Sequence, residues 1–261
     1  MGMASDNSAL VLLHGILMSG NAWQDVVPLL SNHHQTYTPT AVGHRGGPPL
    51  TRRPATASDL VDAAERYLDE HGLERPHLAG HSLGGWMAIE LARRGRAATV
   101  CALAPAGFWS AGDSAQSQAN KEVRKFVTMG RLARPVRPVA ALAMKSATVR
   151  RLGLRNGACH ADRITAAQSV EVLDDIAGCT VNVDDLLGSD EQIAPLNPLP
   201  CPVTIAWSEN DAIVSVAACD KIAHDRVPQA SFTILPGVGH VPMVDDPNLV
   251  ASTILGVTGT G

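Results

Sequence analysis

The sequence predicts an α/β protein built on a mostly parallel sheet. Three observations predict it. Short apolar runs alternate with amphipathic stretches along the chain. The first run, Ala9–Leu13 (ALVLL), has no polar residue, as a strand covered on both faces requires. Gly72 and Gly95 stand where two helices should stop, and Pro247 stands where the last should start.

Taken in order, Ala9–Leu13 is the first strand. Trp23, Val26, Val27 and Leu30 then recur at helical spacing. Thr36–Val42 is the next expected strand. Ser58–His71 is the clearest helix: Leu60, Val61, Ala64 and Leu68 share one face, and Thr56 with Asp59 forms a capping box. Pro76–Gly80 reads as a strand, Leu83–Arg94 as a helix and Ala98–Ala104 as a strand. Val203–Trp207 and Phe232–Leu235 are the last two strands, and the final helix begins at Pro247. Asp245 and Asp246 are read as serving the start of that helix.

The interval from about Asp113 to Pro195 breaks this rhythm. Eleven Lys or Arg lie between Lys121 and Arg163, against Glu122 and Asp162 alone. From Ile164 to Pro200 there are seven acids and no Lys or Arg. Strand runs are missing, so the interval reads as helices inserted over one edge of the sheet. Solvated helix faces pairing basic with acidic residues account for the charge. The expected division is a core of residues 1–112 and 196–261 with a helical lid of 113–195.

Composition bounds the function. The chain has 261 residues, 45% of them hydrophobic, enough for one large domain with a packed core. A net charge of -4 and an aromatic share of 3% argue against nucleic-acid binding. No apolar run reaches the roughly 20 residues of a membrane span. Met1–Ser8 lack the basic start of a signal peptide. The five cysteines are scattered without a C-x-x-C spacing, so no disulfide framework is expected and the reduced cytoplasm is the expected location.

The chemistry concentrates at Gly80-His81-Ser82-Leu83-Gly84-Gly85, between a predicted strand and a predicted helix. A serine there sits on a tight turn that exposes its hydroxyl. Serine needs a base, and the base needs an orienting acid. Asp211 follows the strand Val203–Trp207, and His240 follows the strand Phe232–Leu235. The order Ser82, Asp211, His240 suits three loops delivered to one rim of an open sheet. Glu209 is a weaker rival for the acid. His81 is read as structural, its side chain pointing away from that of Ser82. The Leu83 amide opens a helix, where free N–H groups favour negative charge. A second oxyanion donor is expected from His14-Gly15-Ile16, at the Ile16 amide.

These residues resemble the α/β-hydrolase superfamily over nearly the whole chain outside Asp113–Pro195. The likeness rests on His14-Gly15 with Ser19 and Trp23, on Gly80–Gly85, on Asp211, and on Gly239-His240 followed by Pro242 and Asp246-Pro247. It implies an eight-stranded sheet with a helical cap inserted after the sixth strand. Only about eight residues precede Ala9, so the usual N-terminal hairpin is expected to be missing, leaving six parallel strands. Gly43-His44-Arg45-Gly46-Gly47 departs from the family's Asp-x-Arg-Gly-x-Gly stretch.

The resemblance implies a serine hydrolase that cleaves a small-molecule ester through an acyl-enzyme, with no cofactor and no metal. Dehalogenases and epoxide hydrolases of the fold use an aspartate nucleophile, which Ser82 replaces. Lipase-type His-Gly-Gly-Gly is absent. Carbon–carbon hydrolases usually carry a tryptophan after the histidine, where Val241 stands. Two alternatives stay open. One is the same triad used for C–C cleavage, elimination or cofactor-free oxygen chemistry. The other is a weakly active small-molecule receptor. Phe108, Trp109 and Val241 are the candidate pocket residues, and Val139, Leu142 and Met144 a candidate apolar ceiling.

Overall fold

The computed structural model describes residues 8–110, 112–187 and 191–259. Apart from Ser8, the opening stretch read against a signal peptide lies outside the described residues. Six strands form one sheet: β1 (Ala9–Leu13), β2 (Gln35–Tyr37), β3 (His77–His81), β4 (Val100–Leu103), β5 (Val203–Ser208) and β6 (Ser231–Leu235). Their order is β2-β1-β3-β4-β5-β6, and every neighbouring pair is parallel. The six-stranded parallel sheet expected from the sequence is therefore present.

Alternation along β1 explains its apolar run. Val11 and Leu13 enter a core cluster with Leu60, Leu68 and Ile89, while Leu10 and Leu12 enter the cluster on the other face with Trp23, Leu30 and Ile254. A strand buried on both sides has no position for a polar side chain. Each such Leu contributes about 1.5–3 kcal/mol by leaving water.

The expected strand Thr36–Val42 is cut to Gln35–Tyr37. Pro39 has no N–H to give the ladder, and it disfavours regular pairing around it. The helical spacing from Trp23 to Leu30 is realised in two pieces, a 3₁₀ turn at Gly20–Trp23 and α1 (Val27–Leu30), because Pro28 starts a new helix.

Helix α2 (Ala57–Glu70) carries the expected capping box: the Thr56 hydroxyl accepts from the Asp59 amide at 3.2 Å, and the Asp59 carboxylate accepts from the Thr56 amide at 2.7 Å. Helix α3 (Leu83–Arg93) follows β3 directly.

Between β4 and β5 the chain forms α4 (Ser114–Ala133), α5 (Arg137–Ala143), α6 (Ala147–Gly153), α7 (Ala166–Gly178) and α8 (Val183–Leu187). Its two halves pair charge as expected in part: Arg124 with Asp184 at 2.7 Å, and Arg137 with Asp174 at 2.6 Å. Helix α9 (Val216–Arg226) links β5 to β6, and α10 (Pro242–Asp245) and α11 (Pro247–Thr258) close the fold. No helix among the described residues is long and apolar enough to cross a membrane.

The strand order reverses between β1 and β3. The loops leaving their carboxyl ends diverge there and open a crevice, the usual place for a ligand in an open parallel sheet.

Candidate active site

Ser82 sits at the turn from β3 into α3 with φ 52°, a left-handed conformation that an ordinary side chain adopts only under strain. Its neighbours make the turn possible. A Cβ on Gly80 would lie 2.1 Å from the Gly84 carbonyl oxygen, and one on Gly84 would lie 2.1 Å from that of Leu13. Only glycine fits either position. The Ser82 amide donates to the Leu103 carbonyl of β4 at 2.9 Å, which pins the turn to the sheet.

Three loops converge on this serine. His240 Nε2 lies 3.1 Å from Ser82 Oγ, and His240 Nδ1 lies 2.7 Å from Asp211 Oδ2. The second Asp211 oxygen accepts from the amides of Ile213 and Val214, both at 2.8 Å. A carboxylate so held favours the imidazole tautomer with Nδ1–H, which leaves Nε2 as an acceptor facing the Ser82 hydroxyl. Glu209 instead accepts from the Gly237 amide at 2.7 Å and supports the turn.

Opposite the serine, Gly15–Met18 forms a turn closed by the Met18 amide on the Gly15 carbonyl at 3.3 Å, with Leu17 at φ 64°. Such a turn does not use the N–H of its second residue, Ile16. His14 braces the turn. Its Nδ1–H donates to the Gly15 carbonyl at 2.8 Å and its Nε2 accepts from the Ala41 amide at 2.9 Å. Burial lowers its pKa to about 4, and burial with the nearby His14 lowers that of His44 to about 3. Leu83 opens α3, so its N–H has no acceptor within the helix.

Ser82, His240 and the Ile16–Met18 turn border an apolar cavity of about 100 Å³. Ile16, Ser82, His240 and Val241 line it on one side, and the segment between β4 and β5 lines it with Val123, Phe126, Leu154, Ile164 and Ile176.

Phe108 and Trp109 do not line the cavity. They are buried to 0% and 1% exposure, Phe108 edge-on to Trp207 and Trp109 edge-on to Trp86. Large rings gain more among other rings in the core than at a rim. Val139 and Leu142 are exposed and Met144 is buried, and none forms the ceiling.

His81 does not point away from the site. As the last residue of β3 it reaches the histidine loop, donating from Nε2 to the His240 carbonyl at 2.7 Å. Burial among apolar groups, with His240 nearby, holds its pKa well below the usual histidine range. Asp246 caps α11, accepting from the Leu249 amide at 2.9 Å, but Asp245 does not. Fully buried, Asp245 accepts from the amides of Gly239 at 2.7 Å, Cys159 at 3.0 Å and His160 at 2.6 Å. It ties the histidine loop to the insertion. An Asp-Asp-Pro string signals a helix start, and nothing in it marks the first acid for a long-range role.

Asp175 makes a second such tie. It accepts from Ser19 Oγ at 2.7 Å and pairs with Arg45 Nε at 2.6 Å, joining α7 to the loops after β1 and β2. Arg45 belongs to the stretch Gly43–Gly47 that departs from the family pattern.

The sequence profile of the alpha/beta hydrolase family matches residues 10–253, almost the whole described chain. The chain belongs to the alpha/beta hydrolase family. Like its relatives in that family, it is a hydrolase of the α/β type.

The epoxide hydrolase EphH of Mycobacterium tuberculosis is 30% identical over 198 residues, covering 75% of this chain and 91% of its own. Among solved structures, the carboxylesterase CesB (YbfK) of Bacillus subtilis superposes with a TM-score of 0.72 at 19% identity, covering 98% of this chain and 85% of its own. A thermophilic esterase of Thermogutta terrifontis gives a TM-score of 0.70 at 19% identity, covering 95% and 88%. These two likenesses are to the fold of this family member.

Proposed function

We propose that this alpha/beta hydrolase cleaves small-molecule carboxylic esters through Ser82, His240 and Asp211. The observation that carries the reading is the chain of contacts Ser82 Oγ–His240 Nε2–Asp211 Oδ2, at 3.1 and 2.7 Å, opening on an apolar cavity. His240 takes the serine proton as Oγ attacks the ester carbonyl. Asp211 orients the imidazole and stabilises its cation. The amides of Ile16 and Leu83 receive the oxyanion, each donor worth roughly 10²–10³ in rate. His240 then protonates the departing alkoxide. Water, deprotonated by the same base, attacks the acyl-enzyme and releases the acid.

The apolar lining suits the acyl group of the ester. In this reading residues 113–195 act as the cap over a core of 1–112 and 196–261, and the cap's own side chains choose among substrates.

EphH is named an epoxide hydrolase, so epoxide opening is the competing chemistry. Ser82 argues against it through the intermediate it would form. Attack by a carboxylate on an epoxide gives an ester, which water can cleave with a histidine base. Attack by a serine gives an ether, which it cannot. The test is turnover of p-nitrophenyl esters of graded chain length beside a styrene-oxide assay. Ester turnover with an optimum chain length supports the proposal, and diol formation without ester turnover removes it.

A further inference from the structure

We propose that the outer face of the helical insertion, from Arg131 to Arg155, docks the protein on an anionic membrane surface. This segment holds seven basic residues, Arg131, Arg134, Arg137, Lys145, Arg150, Arg151 and Arg155, and no Asp or Glu. Two are already engaged: Arg137 pairs with Asp174, and the buried Arg150 guanidinium donates to the carbonyls of Met144, Lys145 and Asp162. The other five are exposed and have no carboxylate partner among the described residues.

Large apolar side chains stand among these cations. Leu132, Val136, Val139 and Leu142 are 69%, 50%, 67% and 64% exposed, and Leu152 on α6 is 61% exposed. Leu132 ends the exposed side of α4, Val136 lies in the 3₁₀ turn Arg134–Val136, and Val139 and Leu142 stand one turn apart on α5. The opposite side of α5, at Ala140 and Ala141, is half-buried beside Val170 and Leu173 of α7. Val139 and Leu142 therefore face outward because the inner side of α5 is already used.

Protruding Leu and Val beside unpaired Arg and Lys is the composition of a surface that lies in a bilayer interface, with aliphatic groups in the acyl boundary and cations at the headgroups. A second copy of the chain fits less well, since a two-fold contact on this face sets like charges against each other. Charge also sets the orientation. With +7 in this segment and -4 overall, the rest of the chain carries -11 and is repelled by the same surface. The docking does not depend on ester chemistry, but it places α6 at the interface. Leu154, directly after α6, lines the cavity above Ser82, so a lipid-borne substrate has a short path inward.

The test is co-sedimentation of the full chain with phosphatidylcholine vesicles, alone or containing phosphatidylglycerol. Two outer-face variants accompany it, Arg134→Glu with Lys145→Glu and Arg151→Glu, and Val139→Asp with Leu142→Asp. Binding at least about tenfold stronger to the phosphatidylglycerol vesicles, weakened at least about tenfold by each variant and weakened by salt, is the expected result. Both variants alter exposed side chains and should keep the wild-type circular dichroism. Equal binding to the two vesicle types overturns the proposal, as does binding that survives the charge reversal. A concentration-dependent dimer that Leu142→Asp dissolves, without vesicle binding, also overturns it.

Discussion

On the carboxyl rim of the sheet Ser82 and His240 are each 5% exposed, whereas on the outer side of the insertion Leu132, Val139 and Leu142 keep 64–69% of their surface in water. The rim is held by contacts that cross the whole chain. Asp211 has every oxygen occupied, His81 braces the His240 carbonyl, and Asp245 gathers three amides from two separate loops. The outer side of the insertion is tied only within the insertion, by Arg137 to Asp174 and by Arg150 to nearby carbonyls among the described residues, and its five other cations touch no acid among them. A strained, water-poor corner cannot change one group without disturbing the next. A loosely held surface can change freely, and this is where members of one fold can differ in what they bind.

The contrast breaks most sharply at Ser82, the proposed nucleophile. Ser82→Ala should lower kcat/KM for a p-nitrophenyl ester by about 10⁴-fold or more while leaving the melting temperature within a degree or two, because the lost hydroxyl is small and its backbone conformation is kept. An alanine variant that retains full turnover removes Ser82 from the chemistry.

Asp245→Ala tests whether the rim is one unit with the insertion. Three N–H groups, that of Gly239 buried and those of Cys159 and His160 half-buried, lose their acceptor, so stability should fall by about 2–4 kcal/mol in urea unfolding. The histidine loop should loosen with it, lowering kcat by about 10-fold or more with a smaller effect on KM. A stable variant with normal kcat would separate the two regions.

Acid sharpens the comparison further. Folding depresses the proton affinity of His14 to about 4 and of His44 to about 3, against 6.5 for each in the open chain. Such groups contribute stability that is complete above pH 6.5 and is lost as the pH falls toward those values. Between pH 7 and pH 5.5 each should remove about 1 kcal/mol, measured as a falling urea midpoint. The loss should be smaller in His44→Phe, which no longer titrates. A flat midpoint over this range contradicts the buried neutral pair. The smallest effect belongs to the outer face, where Leu142→Ala should alter stability by less than about 0.5 kcal/mol. A larger loss there means that the side chain is covered in solution.

The rim was legible because its chemistry is local in sequence. Gly80–Gly85 announces a strained turn through glycines that no other residue can replace, and Gly239-His240 and Asp211 each follow a recognisable strand. Capping at Thr56 and at Asp246 could be read for the same reason, since each partner lies three residues away. Asp245 and Asp175 could not. Their partners lie up to 156 residues distant, and a carboxylate's long-range acceptors leave no periodic trace. The cavity walls were illegible too. Phe108 and Trp109 have the composition of a pocket but pack as core, and Val139 and Leu142 have the composition of a ceiling but face outward. Which way an aromatic or a helix stripe turns is decided by tertiary packing rather than by its own residue type.

Reaction of the folded protein with a fluorophosphonate, followed by peptide mass spectrometry, interrogates the three-loop convergence itself. A single adduct on Ser82, formed rapidly and slowed by orders of magnitude in His240→Ala, is the outcome this structure requires. A folded protein that stays unlabelled at Ser82, or a label that persists in Ser82→Ala, contradicts it.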